Sequence, residues 1–141
     1  MSTLTLAQTQ QILAAAFAEA RAKGYKPMGV VVVDAAGQVK AQAREDGASA
    51  LRLDIATAKA SAATGMGVSS RVLAQRAKDL PTFFTSLASV SSQKFAAQTG
   101  AVLILDAGGQ MIGAAGASGG TGDEDEAICI AGIAAAGLGH G

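Results

Sequence analysis

Three groups of residues in the sequence carry side chains able to do chemistry. The first is Gly116-Ala117-Ser118-Gly119-Gly120-Thr121-Gly122, which runs into Asp123-Glu124-Asp125-Glu126. A glycine-rich segment that opens a helix can cradle a phosphate on its backbone N–H groups. This one lacks the Lys of a Gly-Lys-Ser/Thr loop, and its run of carboxylates repels an anion. A plain phosphate cradle is therefore rejected. Two readings stay open. Thr121 and Glu124 form a capping box followed by a solvated acidic turn. Alternatively, Ser118, Gly119, Gly120 and Thr121 form a rim where a flat ligand approaches the backbone, with Asp125 or Glu126 turned inward as a ligand contact or base. Acidic oxygens also suit Mg²⁺ or Ca²⁺, but one acidic run establishes no site, and no metal is expected.

The second group is Arg44-Glu45-Asp46-Gly47, followed by Arg52, Asp54 and Lys59. Arg44, at the end of an expected strand, can present a fork to a carboxylate of a ligand or partner. Asp54 and Lys59 lie about 140° apart around a helix, so a straight helix cannot aim both into one pocket. Surface solvation is the competing reading for each of these charges. The third group is Cys129 and His140. Cys129 sits in an apolar stretch and reads as a small buried hydrophobe rather than a reactive thiol. His140 is penultimate on a glycine-rich tail, which reads as a frayed end and a poor place for a catalytic base.

Positioning these groups requires helices and hairpins in a definite order. Leu6, Ile12, Leu13 and Phe17 recur with helical spacing from Thr5 to Lys23, with Thr5 as cap and Gly24 as terminator. Met28 to Val33 is a short apolar β-branched run, and Asp34-Ala35-Ala36-Gly37 is a hairpin turn returning through Val39 to Arg44. Val102 to Leu105, Asp106-Ala107-Gly108-Gly109 and the segment from Met111 repeat that pattern without a gap, although turn chemistry alone selects Asp and Gly. Between the hairpins, Leu51 to Thr64 reads as a helix ending at Gly65. A second short helix runs from Ser69 or Ser70 to Lys78, and Pro81 breaks it. Thr82 to Lys94 reads as a loop or short helix, and Thr121 to Leu138 as the last helix. Strands arriving in hairpins favour an α+β fold over a parallel doubly wound sheet.

Composition narrows the classes further. The 141 residues fit one domain, spanning 1–141. Lys and Arg number 11 against 11 Asp and Glu, without basic clustering, which argues against a nucleic-acid grip. A lone Cys excludes an intrachain disulfide framework. The Met1-Ser2-Thr3-Leu4 start lacks the pattern of a signal peptide, and the apolar stretches are too short to span a membrane, so the expected address is the cytoplasm. The 33 Ala and 18 Gly suit close backbone approach within the fold or between subunits, making self-association an expectation.

Val31-Val32-Val33-Asp34-Ala35-Ala36-Gly37, Arg44-Glu45-Asp46-Gly47-Ala48, Asp54-Ile55-Ala56-Thr57-Ala58-Lys59-Ala60 and Ala117-Ser118-Gly119-Gly120-Thr121 follow one another in order. With Asp125-Glu126 and Ala131-Gly132-Ile133-Ala134, this succession resembles the GlcG/HbpS family of haem-binding proteins, which includes the C-terminal domain of PduO-type proteins. The resemblance implies a profilin-like fold, with a five-stranded antiparallel sheet flanked by helices, assembled into homo-oligomers of up to eight chains. The chain departs from common members in two places: Glu45 stands where a Met is usual, and Phe95 to Gly100 replaces a frequent Pro-Gly-Gly approach to the second hairpin. The first reading of function is a cytoplasmic, oligomeric small-molecule-binding protein whose candidate ligand is haem or a related tetrapyrrole. Its site would be formed by Arg44, Asp54, Lys59, Ser118, Gly119, Gly120 and Thr121. The rival is a catabolic lyase, hydratase or isomerase acting on a small carboxylate or carbonyl compound. There Asp125 or Glu126 would be the base, Arg44 the carboxylate clamp and Lys59 an electrostatic stabiliser. A third possibility is a structural partner of another enzyme.

Overall fold

Helix α1 (Leu6–Ala22) begins where Thr5 and Gln8 close a capping box. The Thr5 hydroxyl accepts the Gln8 N–H at 3.1 Å and the Gln8 side chain accepts the Thr5 N–H at 3.0 Å, satisfying two donors that the helix leaves open. The computed structural model describes residues 3–92 and 94–141. After α1 come the hairpin β1 (Gly29–Asp34) and β2 (Val39–Arg44), then the helices α2 (Leu51–Met66), α3 (Ser70–Asp79) and α4 (Pro81–Val90). A second hairpin, β3 (Ala101–Leu105) and β4 (Met111–Ser118), leads to α5 (Gly122–Ala135) and the short strand β5 (Gly139–His140).

The two hairpin turns are the same device built twice. Asp34 accepts the N–H groups of Ala36 and Gln38 on one carboxylate oxygen, at 2.9 and 3.0 Å, and Asp106 accepts those of Gly108 and Gln110, both at 2.9 Å. Gly37 and Gly109 close the turns at φ +79° and +80°, where a β-carbon is strained. Both hairpins carry an irregularity just before the turn, at Val32/Val33 and Ile104/Leu105. The strands form one antiparallel sheet in the order β2-β1-β4-β3-β5, with β1 and β4 paired from Gly29 opposite Ser118 to Asp34 opposite Gly113. This is the expected α+β architecture, a five-stranded antiparallel sheet flanked by helices.

Alternation along the strands divides the core into two layers. On one face, Ile12 and Ala16 of α1 and Ile128 and Ile133 of α5 pack on Val30, Val32, Val102 and Ile104. On the other, Ala56, Ala60 and Ala63 of α2 pack on Val31, Val33 and Leu103, while Leu73 and Phe84 of α3 and α4 cover Ala62. Small residues set the spacing. A β-carbon on Gly116 would lie 2.5 Å from the Ala56 carbonyl oxygen, and one on Gly132 would lie 2.5 Å from that of Ile12.

The structure corrects the sequence reading at several boundaries. The C-terminal tail is not frayed: His140 pairs with Ile104 and Gly139 with Leu105, and Gly141 exchanges backbone hydrogen bonds with Leu103 at 2.9 and 3.1 Å. Two residues are too few for periodicity to announce a strand. Pro81 starts α4 as well as separating it from α3, because proline is tolerated in a first helical turn, where the N–H has no partner to lose. Helix α2 passes Gly65 and stops at Gly67, and α5 ends at Ala135 rather than Leu138.

Candidate functional site

The chemistry-bearing residues converge at the end of the sheet opposite the hairpin turns, where β3 begins and β4 ends. Helices α2 and α5 cover opposite faces of the sheet, and one side chain from each meets the other past the strand ends. Lys59 Nζ lies 3.0 Å from Asp125 Oδ2, with the two side chains only 6% and 3% exposed. Lys59 also donates to the Ala117 carbonyl oxygen at 3.1 Å, and Asp125 Oδ1 accepts the Gly120 N–H at 2.9 Å. Both partners are thus fixed to the backbone of the glycine rim. Gly100 makes room for the bridge. At φ +138° it occupies a conformation that disfavours any β-carbon, and such a carbon would lie 2.6 Å from Lys59 Nζ.

Burial pushes the Asp125 carboxyl above its ordinary range, while Lys59, the Gly120 N–H and Arg52 pull it back. Cys129 lies behind the pair, with Sγ 3.8 Å from the Gly100 carbonyl oxygen, and burial pushes its thiol far above the ordinary range. That thiol is inert.

In front of the pair opens a cleft of about 430 Å³ walled by Arg52, Ile55, Gln98, Thr99, Ser118 and Gly120 to Asp123, with Lys59 and Asp125 in its lining. An adjoining cleft of about 460 Å³ is lined by Gly24, Tyr25, Lys26, Arg52, Gly119, Gly120, Thr121 and Glu124. The two share Arg52, Gly120 and Thr121, and each has a volume usual for a small-molecule site. A larger hollow of about 530 Å³ lies at the far end of the sheet against both hairpin turns, lined in part by Leu4, Met111 and Ile112. It holds no comparable cluster of charged groups.

Of the residues singled out in the sequence, Lys59, Ser118, Gly120, Thr121 and Asp125 come together in the first cleft, and Gly119 lines the second. Thr121 and Glu124 also form the capping box, with bonds of 3.0 and 3.2 Å, so rim and cap coexist. Three residues lie elsewhere. Arg44 is exposed on the edge strand β2 and donates to the Ala48 carbonyl oxygen at 2.8 Å. Asp54 is exposed on the other side of α2 from Lys59, as their angular separation requires. Glu126 faces Arg71, which holds it at 3.0 Å and also binds Asp123.

Arg52 has no assigned role in the sequence reading, yet it stands where both clefts meet. Its only side-chain hydrogen bond among the described residues is to Ser118 Oγ, at 3.2 Å. Glu45, the unusual residue of the second motif, accepts the Met28 N–H at 2.9 Å and bridges to Arg21 at 2.8 Å. Arg21 in turn donates to the carbonyl oxygens of Tyr25 and Lys26, so this network shapes one wall of the second cleft. The Phe95 to Gly100 segment supplies Gln98 and Thr99 to the first.

This fold, with a glycine rim over a buried ion pair between two helix layers, has known relatives. The family described as haem degrading protein HbpS-like matches residues 4–134, and the chain belongs to it. Among solved structures, the haem complex of PduOC is 26% identical and superposes with a TM-score of 0.86 over 98% of both chains. A double mutant of Streptomyces reticuli HbpS is 29% identical, with a TM-score of 0.81 over 95% of this chain and 87% of that one. Klebsiella pneumoniae protein ORFY is 26% identical, with a TM-score of 0.85 over 97% of this chain and 92% of that one. No curated protein sequence matches the chain.

Proposed function

We propose that this protein binds haem or a closely related tetrapyrrole at the glycine rim, between the start of α5 and the Lys59 face of α2. The observation that carries the reading is the end-to-end likeness to a solved haem complex, at a TM-score of 0.86. The donor chemistry at the rim is compatible with it. Iron takes His, Cys, Met or Tyr as axial ligand. Cys129 and Met28 are buried, and His140 is exposed on β5. Tyr25 lines the second cleft beside Lys26 and Arg52, so an oxygen donor for iron stands with cations for the carboxylates of the macrocycle. When bound, haem supplies redox and oxygen chemistry that no side chain offers.

The reading includes self-association into a homo-oligomer of up to eight chains and a cytoplasmic address. Exposed Leu80, Phe83 and Val90, at 57%, 50% and 80%, support the first of these, since large apolar residues tend to be covered in assemblies. Light scattering behind size exclusion tests it.

Titrating the apoprotein with haem should give a saturable Soret shift at fixed stoichiometry, with Y25F changing the band position; an unsaturable spectrum equal to free haem in buffer refutes the reading. Following the bound spectrum over time with an added reductant also asks whether bound haem is consumed, as the family's description implies. The catabolic-enzyme reading draws on Asp125 at the cleft wall. However, both of its oxygens are engaged, and Arg44 and Glu126 lie away from it. Its test is turnover of small carboxylate and carbonyl compounds that D125A abolishes while the fold persists.

A further inference from the structure

We propose that Arg52 is the carboxylate anchor of the rim site: its guanidinium leaves Ser118 to grip a carboxylate borne by the ligand, the role the sequence assigned to Arg44. The inference rests on the rim being a ligand site and names the chemistry that ligand must carry. Among the described residues, every other Lys or Arg without an acidic partner is exposed, and the buried Lys59 has Asp125. Arg52 alone is held half-buried without a carboxylate. Guanidinium has five N–H donors in a planar fork, and a single bond of 3.2 Å to a neutral hydroxyl leaves most of them to solvent or ligand.

The nearby acids leave it available to an anion. Each acid nearby is already engaged: Asp125 with Lys59 and Gly120, Glu124 with the Thr121 N–H, Asp123 with Arg71. Lys59 and Arg71 thus compensate part of the acidic turn that argued against anion binding, and Arg52 is the half-buried cation left without an ion-pair partner where the two clefts meet. Its position is also firm. A β-carbon on Gly29 would lie 3.2 Å from the Arg52 backbone and Cβ, so this glycine lets the first turn of α2 rest directly on β1. The side chain then reaches along the sheet end to the boundary shared by both clefts.

A carboxylate at this position has two possible sources, the propionates of a tetrapyrrole or a free organic acid, and one experiment separates them. Wild type, R52A, R52K and R52Q are titrated with haem and with haem dimethyl ester, whose propionates are blocked, and circular dichroism confirms the fold of each. Loss of a charge-assisted bond weakens binding by about tenfold or more. R52A and R52Q should lose that much affinity for haem, R52K less, and none should change affinity for the ester. Haem affinity unchanged in R52A and R52Q, or equal loss of both ligands, overturns the proposal, the latter marking a structural role. If wild type itself shows no saturable haem shift, the haem reading falls and Arg52 is judged by thermal shift with succinate and lactate. A melting-point rise in wild type that R52A and R52Q lack then supports a free acid as the source, and no rise in wild type overturns the proposal.

Discussion

The buried bridge between α2 and α5 is the element most open to quantitative challenge. At 3.0 Å, Lys59 and Asp125 attract by about 5 kcal/mol at an effective dielectric near 20. Taking both charges out of water works against this gain, and burial pushes the Asp125 carboxyl up. Removing one partner while the other stays buried costs about 3–5 kcal/mol, whereas replacing both with apolar residues of like size is often close to neutral. The expected pattern across K59M, D125L and the double variant follows. D125L leaves the Lys59 ammonium with the Ala117 carbonyl alone and should lower Tm by about 10 °C or more. The double variant should be more stable than D125L by about 2 kcal/mol or more, with the orphaned Gly120 N–H keeping it below wild type. K59M adds a pH signature. Without Lys59, burial holds the Asp125 carboxyl higher still, so the folded state binds its proton more tightly than the unfolded state does. The deficit of K59M against wild type should then be small in acid and grow as pH rises from the folded-state pKa of Asp125 in wild type through that in K59M. Urea denaturation at fixed protein concentration measures all four proteins. Additive losses, with the double variant no better than the sum of the singles, would refute the coupling.

Further outcomes can be checked by the same methods. G100A combines a φ of +138° with a β-carbon 2.6 Å from Lys59 Nζ, so it should displace the bridge and destabilise by about 2 kcal/mol or more, with haem binding impaired as well. G65A sits in helix α2 with nothing within 4 Å of the added carbon and should raise stability by about 0.5–1 kcal/mol, visible as a higher urea midpoint. Deleting residues 139–141 removes β5 and uncovers the edge of β3, so light scattering should report aggregation that wild type does not show.

Much of the fold was legible because local chemistry specified it. The Asp34 and Asp106 turns, the Thr5 and Thr121 caps and the β-branched runs each carry their structure in a few adjacent residues. Lys59, Ser118, Gly120, Thr121 and Asp125 were legible as candidates for the same reason: the rim and the acidic turn are contiguous. Their mutual arrangement was not. Lys59 and Asp125 are 66 residues apart, and no period in either helix says that the two pass the strand ends to meet. The choice between Arg44 and Arg52 turned on two tertiary facts: α2 is seated on Gly29, which holds Arg52 at the sheet end, and the strand order leaves Arg44 on the edge strand β2. Glu126 was lost to Arg71, a residue on a helix whose placement over α5 no local signal encodes.

The contact of Gly116 with the Ala56 carbonyl, and of Gly132 with that of Ile12, also bears on how this site can change over generations. Where backbone touches backbone there is no side chain to trim or enlarge, so neither layer can be resized one substitution at a time. Gln98 and Thr99, by contrast, project from an irregular segment at the cleft mouth. Divergence in ligand preference should therefore accumulate in the approach to the second hairpin, and a library meant to redirect the site is better spent on residues 95–99 than on its helices.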